Sequence, residues 1–294
     1  MSFATRRRYL IPLPGRTLEL GPRTLIMGIL NVTPDSFSDG GHFLGASEAV
    51  NRAWQIAEEG ADLLDIGGES SRPGAGGVGV EEESRRVLPV LERLSRKYPL
   101  PISIDTTKAA VARAALERGA VLVNDISGLR NDPRMAAAVA SAGAALILMH
   151  MRGTPATMQI IPPCPDIMRE IELWAEEAVA RAQSSGVSSD RIILDPGIGF
   201  GKTLDQNLEI VRSLGRLAAA GFPILVGTSR KSFIGTILKN AEADRIWGTG
   251  ATVALSIAAG AHIVRVHDVA AMKDVVMVAD AISVTGPATP ESKD

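Results

Sequence analysis

Eight times along this chain a short apolar run is followed by a helix-like segment, and that alternation limits the fold more than any other feature. The runs are residues 24–30, 62–67, 101–105, 121–124, 144–150, 192–195, 223–227 and 262–266. They are continuous rather than alternating, as in strands covered on both faces. The segments between them carry apolar residues at helical spacing. In 81–97, Val87, Val90, Leu91 and Leu94 share one side, with acidic residues at the start and basic ones at the end. Pro89 predicts a kink or a late start there. Ser47 reads as an N-cap for a helix whose inner face holds Val50, Ala53, Trp54 and Ala57. Eight such units in roughly 250 residues predict a (β/α)8 TIM barrel. An open doubly wound sheet is the alternative, disfavoured by the count of eight and by the lack of a dinucleotide fingerprint after the first strand. Residues 8–20 alternate around Pro14-Gly15 and read as a β-hairpin that plugs the barrel. The expected division is an N-terminal extension with the hairpin (1–23), the barrel (24–284) and a loose tail (285–294).

Bulk properties remove several classes of function. The formal charge is only −2, so no basic excess marks a nucleic-acid partner. Cys164 is the single cysteine, which rules out an intramolecular disulfide and a cysteine zinc cluster. No apolar run reaches the length of a signal-peptide core or a membrane span. The expectation is a cytoplasmic protein acting on small molecules, with no membrane or nucleic-acid partner.

In a barrel of this kind the site lies at the C-terminal strand ends. Those ends carry Asn31, Glu69, Ser70, Ser71, Arg72, Asp105, Asn124, Asp125, His150, Asp195, Thr228, Ser229, Arg230, Lys231, Ser232, Arg265 and His267. One such residue is as readily a turn former as a functional group, but a polar rim gathered on one face is what a site needs. Arg72, Lys231, Arg265 and His267 suit a polyanion. Asn31 and Asp35 suit a hard cation on a phosphate substrate, which takes only one or two protein oxygens. Asp105, Asn124 and Asp195 suit a planar heterocycle rich in N–H donors, because a carboxylate accepts two parallel N–H bonds. The glycine-rich loops 31–41 and 67–79 read as lids.

The stretch Asp195-Pro-Gly-Ile-Gly-Phe-Gly-Lys-Thr203 nearly spells a P-loop. That motif needs four residues between its first glycine and Gly-Lys-Thr, whereas Gly197 and Gly201 enclose three. Lys202 and Thr203 therefore read as helix-start residues, the part of this stretch expected to tolerate substitution best.

Met27-Gly-Ile-Leu-Asn-Val-Thr-Pro-Asp-Ser-Phe37, Asp65-Ile-Gly-Gly-Glu-Ser-Ser-Arg-Pro-Gly74 and Leu194-Asp-Pro-Gly-Ile-Gly-Phe-Gly-Lys-Thr203 resemble signatures of the dihydropteroate synthase family. Ser103-Ile-Asp-Thr106, Val123-Asn-Asp-Ile-Ser-Gly128, Gly227-Thr-Ser-Arg-Lys-Ser232 and Arg265-Val-His-Asp268 follow in the family's order, so the likeness spans roughly residues 24–283. The resemblance implies condensation of 6-hydroxymethyl-7,8-dihydropterin diphosphate with p-aminobenzoate, a transferase reaction of folate biosynthesis. It implies Asp105, Asn124, Asp195, Lys231 and Arg265 for the pterin, and Asn31, Arg72, Arg265 and His267 for the diphosphate. It implies Ser71, Arg72, Pro73, Phe200, Lys231 and Ser232 for the aminobenzoate, where sulfonamides bind in the family, and Mg²⁺ near Asn31 and Asp35. A homodimer through barrel helices is the implied assembly; the apolar segment 251–259 either contributes to it or faces the barrel. The chain departs from the family's habit at Ser71, commonly Thr, and at Gln206, commonly His.

For the chemistry, Asp105, Lys231, Arg265 and His267 are the expected catalytic group. An arylamine is already a neutral nucleophile, so the demanding step is loss of pyrophosphate from the pterin methylene. Conjugation with the electron-rich ring favours a Mg²⁺-assisted dissociative displacement. A pterin-dependent methyltransferase and a non-catalytic pterin-binding paralogue are the competing readings. The first has no need of the diphosphate cations, and the second is expected to lose them.

Overall fold

A computed structural model of the chain describes residues 6–33, 41–72, 74, 76–94, 97–158, 160–240 and 242–283. The tail expected at 285–294, Asp35 and Pro73 lie outside the described residues. Eight strands form one parallel sheet: β3 (Leu25–Asn31), β4 (Leu63–Gly67), β5 (Ile102–Asp105), β6 (Leu122–Asp125), β7 (Ala145–Met149), β8 (Ile192–Asp195), β9 (Leu225–Val226) and β10 (Ile263–Val266). Each pairs with its neighbour in sequence, and β10 pairs with β3. A parallel bridge from Leu194 to Ile224 joins β8 to the entry of β9. The expected (β/α)8 barrel is therefore the observed architecture. β9 is shorter than its apolar run because Pro223 has no N–H to add to the ladder; its carbonyl instead accepts from Leu194 (3.0 Å).

The hairpin of β1 (Tyr9–Leu13) and β2 (Arg16–Leu20) is the expected plug. Its Ile11, Leu13, Leu18 and Leu20 pack with Leu25, Met27, Leu63, Leu122, Ala145, Ile147, Ile193, Leu225 and Ile263. Those strand residues belong to the inward-facing set, since side chains alternate along a strand. The outward set includes Ile26, Leu64, Ile66, Ile104, Val123, Leu146, Leu148, Leu194 and Val264, which pack under the helices. Two positions beyond the plug layer, the same inward face turns polar. Leu63 gives way to Asp65, Leu122 to Asn124, Ile193 to Asp195, and Ile263 to Arg265. One end of the barrel is a dry core and the other is a polar cup.

The helices follow the alternation, with local corrections. α1 spans Gly41–Glu58, so Ser47 sits inside the helix and does not cap it. Its buried side holds Ala46, Ala49, Ala53 and Ile56, while Trp54 is 36% exposed and meets the Tyr98 ring edge-on. α2 (Val80–Leu94) runs through Pro89 without a late start and buries Val87, Val90, Leu91 and Leu94 as expected. Next come α3 (Ala109–Leu116), α4 (Met135–Ala142) and α5 (Ile167–Ser184), the last capped by Asp166. The single helix expected after β8 is two, α6 (Leu204–Arg212) and α7 (Leu214–Ala218). α8 (Ser232–Ile237), α9 (Ile246–Ala258) and α10 (Val269–Ser283) complete the ring. Among the described residues no helix is long and apolar enough to cross a membrane.

The two ends of the chain are tied by one carboxylate. Asp280 accepts from Thr24 N–H (2.7 Å), Thr24 Oγ1 (2.8 Å) and Arg6 Nη2 (2.6 Å). The Arg6 side chain is only 4% exposed. Asp280→Ala leaves that guanidinium buried without its counter-charge, and the expected loss is about 3–5 kcal/mol. Chemical unfolding followed by circular dichroism measures it; an unchanged midpoint would show that this tie contributes nothing.

Candidate active site

The cup is organised by a guanidinium between two carboxylates. Arg265, on β10, donates Nε to Asp65 Oδ2 and Nη2 to Asp105 Oδ2, both at 2.6 Å. Asn124 Nδ2 donates to the same Asp65 oxygen at 3.0 Å. Ladder register explains the meeting, since Asp105 is the partner of Asn124 across β5 and β6 and of Gly67 across β4 and β5. Asp65 is fully buried, and its Oδ1 and Asn124 Oδ1 have no hydrogen-bond partner among the described residues. Burial raises the Asp105 carboxyl to about 7, with Arg265 opposing part of the rise.

Asp195 ends β8 and is 5% exposed. Its Oδ1 accepts from Gly197 N–H at 2.7 Å. Burial pushes its carboxyl up to about 6, opposed by that bond and by Lys231 and Arg265. Lys231 is pulled down to about 8 by burial and by Arg265, against Asp195 and Asp105. Its Nζ lies 3.8 Å from the centre of the Phe200 ring, a cation–π contact in a partly desolvated setting. The expected pterin set of Asp105, Asn124, Asp195, Lys231 and Arg265 thus shares one cup.

The rim is more open. His267 follows β10, with its backbone N–H donating to Ser229 Oγ (3.2 Å) and its Nδ1 3.0 Å from the same oxygen. The Ser229 hydroxyl can donate to Nδ1, which puts the imidazole proton on Nε2, or accept a second bond from Nδ1–H. Burial, then Arg265 and Arg230, holds the ring down at about 4, so it is neutral at pH 7. Asn31 ends β3 half-buried. Ser71 is half-buried and Arg72 exposed on the loop after β4. The Arg72 N–H bonds Ser70 Oγ (3.4 Å), and no hydrogen bond or ion pair ties its guanidinium to another described residue. Ser232 opens α8, exposed. The residues expected to hold the pterin thus share one cup, while Arg72 and Ser232 are exposed.

Three rim candidates serve the scaffold. Asp125 faces outward and folds the next turn, accepting from Ser127 N–H (2.8 Å), Ser127 Oγ (2.6 Å) and Leu129 N–H (2.9 Å). His150 is buried with its ring edge toward Trp174. Glu69 is paired with Lys108, which also holds the buried Glu83 (2.6 Å) and so anchors the stem of the Ser71–Arg72 loop.

The reading of Lys202 as a tolerant helix-start residue is overturned. Its Nζ donates to the carbonyls of Gly197 (2.8 Å), Phe200 (3.1 Å) and His150 (3.2 Å). One ammonium satisfies three backbone acceptors from the loops after β7 and β8. Gly197 and Gly201 make that approach possible: at φ of 66° and 68°, an added Cβ would fall 1.8 Å from His150 O and 2.5 Å from Arg152 O. Thr203 does start a helix, in a capping box with Gln206 (3.2 and 3.0 Å). Gln206 Nε2 also donates to Cys164 O at 2.9 Å, so this departure from the family's habit has the structural role expected of it. Sequence reasoning missed Asp65 and Lys202; the inward register of Asp65 was the available signal, and Lys202 had none.

A (β/α)8 barrel with an acceptor-lined cup and cations at its mouth defines an enzyme for a small, planar, polar substrate carrying negative charge. Residues 27–267 match the pterin binding enzyme family. The dihydropteroate synthase of Synechocystis sp. is 51% identical over 274 residues, covering 92% of this chain and 95% of that one. That of Bacillus subtilis is 46% identical, covering 86% of each. Among solved structures, dihydropteroate synthase from Xanthomonas albilineans with 4-aminobenzoic acid superposes with a TM-score of 0.87 at 42% identity, over 95% of this chain and 100% of that one. A Yersinia pestis dihydropteroate synthase with a sulfonamide drug gives 0.86 at 40% identity, over 93% and 98%. The chain belongs to the pterin binding enzyme family and, within it, to the dihydropteroate synthases.

Replacing Lys202 by Met removes a donor from three carbonyls; those of Gly197 and Phe200 keep backbone N–H partners, and that of His150 is left without one among the described residues. The expected cost is about 1–3 kcal/mol, against about 1 kcal/mol for Thr203→Ala at the cap. Urea unfolding of the two variants checks the order; Thr203→Ala proving the more damaging would refute the role given to Lys202.

Proposed function

We infer that the protein joins 6-hydroxymethyl-7,8-dihydropterin diphosphate to p-aminobenzoate, releasing pyrophosphate and giving 7,8-dihydropteroate. The observation that carries this reading is the fixed acceptor cup of Asp65, Asp105, Asn124 and Asp195 beneath a cationic mouth, in a chain of this family. Asp195 receives the N–H edge of the pterin, and Asp105 and Asn124 receive further donors. Arg265, held on its edge by two carboxylates, keeps its flat face for the ring. Lys231 and Phe200 border both substrates. Ser71, Arg72 and Ser232 line the aminobenzoate approach. Arg72, Arg265 and His267 receive the diphosphate. That cationic mouth favours the synthase over a methyltransferase.

The donor chemistry of Asn31 fits Mg²⁺, since a hard cation on a diphosphate needs only one or two protein oxygens. Among the described residues no cluster of three or more acidic, His or Cys side chains could hold a metal by itself, so the diphosphate would supply most of the ligands. When bound, the cation would neutralise charge on the leaving group. We propose that the carbon–oxygen bond breaks ahead of amine attack, with the carboxylates of the cup facing the positive charge that develops on the pterin. Incubation with both substrates and Mg²⁺, assayed for dihydropteroate and pyrophosphate, tests the activity. Positional isotope exchange in the diphosphate without aminobenzoate is the expected mark of the dissociative step; its absence would exclude that step.

The carboxyl of Asp195 gives a pH test. A raised pKa means that the free folded protein holds this proton to a higher pH than the unfolded chain. Asp195 therefore contributes a loss of stability as pH climbs from about 4 towards about 6. Ligand binding runs the other way, because N–H donors need the ionised form. Pterin affinity should be about tenfold weaker at pH 5 than at pH 8, and Asp195→Ala should weaken it at pH 8 and flatten the profile. Calorimetry showing unchanged affinity in the variant would remove Asp195 from the site.

α9 and α10 pack together, and each also exposes apolar side chains: Trp247 (85%), Leu255 (60%), Met277 (62%) and Ile282 (61%). Within 251–259, Val253 and Ile257 face the barrel while Ala251 and Leu255 face out. We propose that this face pairs with a second copy of the chain. Sedimentation should report twice the chain mass, falling to one with Trp247→Glu; a monomeric parent protein would end the proposal.

A further inference from the structure

Asp65 is absent from the residues given to either substrate, yet one of its oxygens holds both Arg265 and Asn124. It is fully buried on β4 and accepts both Arg265 Nε (2.6 Å) and Asn124 Nδ2 (3.0 Å). An ionised carboxylate can only accept, so it can face only the amino end of the Asn124 amide. That settles which way the amide points. The carbonyl oxygen of Asn124 becomes the free acceptor, and it is buried without a partner among the described residues. Asp125, next along β6, cannot serve the same purpose, because its carboxylate faces outward into the 127–129 turn.

A fixed amide discriminates between heterocycles. Asn124 with its oxygen free offers an acceptor and, beside it, the remaining Nδ2 proton. A 2-amino-4-oxopteridine presents an N–H donor on C2 and an acceptor at N1. A 2,4-dioxopteridine presents the reverse, an acceptor on C2 and a donor at N1. The two ligands have nearly the same shape and differ in the sense of this edge. An inverted Asn124 would suit the second and leave polar groups unmatched against the first.

We propose that Asp65 is a positioning residue that locks the Asn124 amide in one sense, and that this lock makes the barrel select a 2-amino-4-oxo over a 2,4-dioxo pteridine. The proposal rests on the pterin reading of the cup. Asp65→Asn tests it, since a neutral amide at position 65 can turn either its oxygen or its amino group to Asn124 and no longer enforces one sense.

The probes are 6-hydroxymethylpterin and its 2,4-dioxo counterpart, with dissociation constants measured by calorimetry. The parent protein should prefer the first by about 10- to 100-fold, the range by which a hydrogen-bonding site rejects a mismatched partner. In Asp65→Asn both ligands should weaken, because Arg265 loses one of its two charged acceptors, and the preference should shrink by at least about tenfold. A purely structural role for Asp65 would weaken both ligands equally, and an unchanged ratio overturns the proposal. Should Asp65→Asn fail to fold by circular dichroism, Asn124→Ser keeps the Asp65–Arg265 pair and removes the amide; because Asp195 also disfavours a 2-oxo group, the preference should shrink rather than vanish, and an undiminished preference overturns the proposal as well. If the parent protein binds neither ligand, the pterin reading itself fails. If it binds and prefers the first, only the lock is at stake.

Discussion

A single guanidinium held between two carboxylates makes this barrel's polar end possible. Asp65 and Asp105 project into the same cup from adjacent strands. Two carboxylates so placed destabilise one another and drive proton uptake unless a cation separates them. Arg265 does so from β10, two strands beyond β4, with two 2.6 Å bonds. Buried ion pairs contribute little to stability by themselves, because desolvation offsets their attraction. Their gain here is geometric. The Arg265 fork, the Asp105 oxygens and, through Asp65, the Asn124 amide are set in place before any ligand arrives, which is the condition for a preorganised site.

The loop after β8 meets a different constraint. It must bring Phe200 and Asp195 to the same mouth, and the backbone turns sharply enough for its carbonyls to point inward. Lys202 answers two of them, and that of His150 after β7, with one ammonium, and glycine at 197 and 201 removes the side chains that would collide with the neighbouring loop. A sequence so close to a phosphate-binding loop therefore uses its lysine on its own backbone. Phe200, steadied in this way and packed with Met149, Met151 and Met158, supplies the face on which Lys231 sits.

The barrel was legible in the chain because strands buried on both faces leave continuous apolar runs, and helices with one buried face leave a periodic trace. The candidate cup was legible where a polar residue interrupted such a run at its end, as at Asp105, Asn124, Asp195 and Arg265. Asp65 shows its inward register in the sequence, but its partners lie 59 and 200 residues away, so that register alone does not mark it as an anchor. Lys202 was misread because its partners are carbonyls, which every residue has. Ser47 was misread because a serine can sit within a helix as well as cap it, and its local sequence supports either. The exact extent of β9 depended on Pro223, whose missing donor matters only once its neighbours in the sheet are known.

The charge balance of the cup bears on the chemistry proposed for it. Asp65, Asp105 and Asp195 set three carboxyl groups against the two cations Arg265 and Lys231. With all five groups ionised the cup carries one excess negative charge, and Asp105, raised to about 7, and Asp195, raised to about 6, both sit at the edge of that condition near neutral pH. A neutral ring bound there gains hydrogen bonds and little more. A ring on which positive charge is growing, as its diphosphate departs, gains the excess charge as well. Interactions that strengthen only as the transition state forms are those that accelerate a reaction. Burial makes the effect larger, since the same charges in water would be screened. The desolvation that raises Asp195 thus has two consequences: it costs stability in the free protein, and it places a carboxylate where a departing diphosphate leaves positive charge behind.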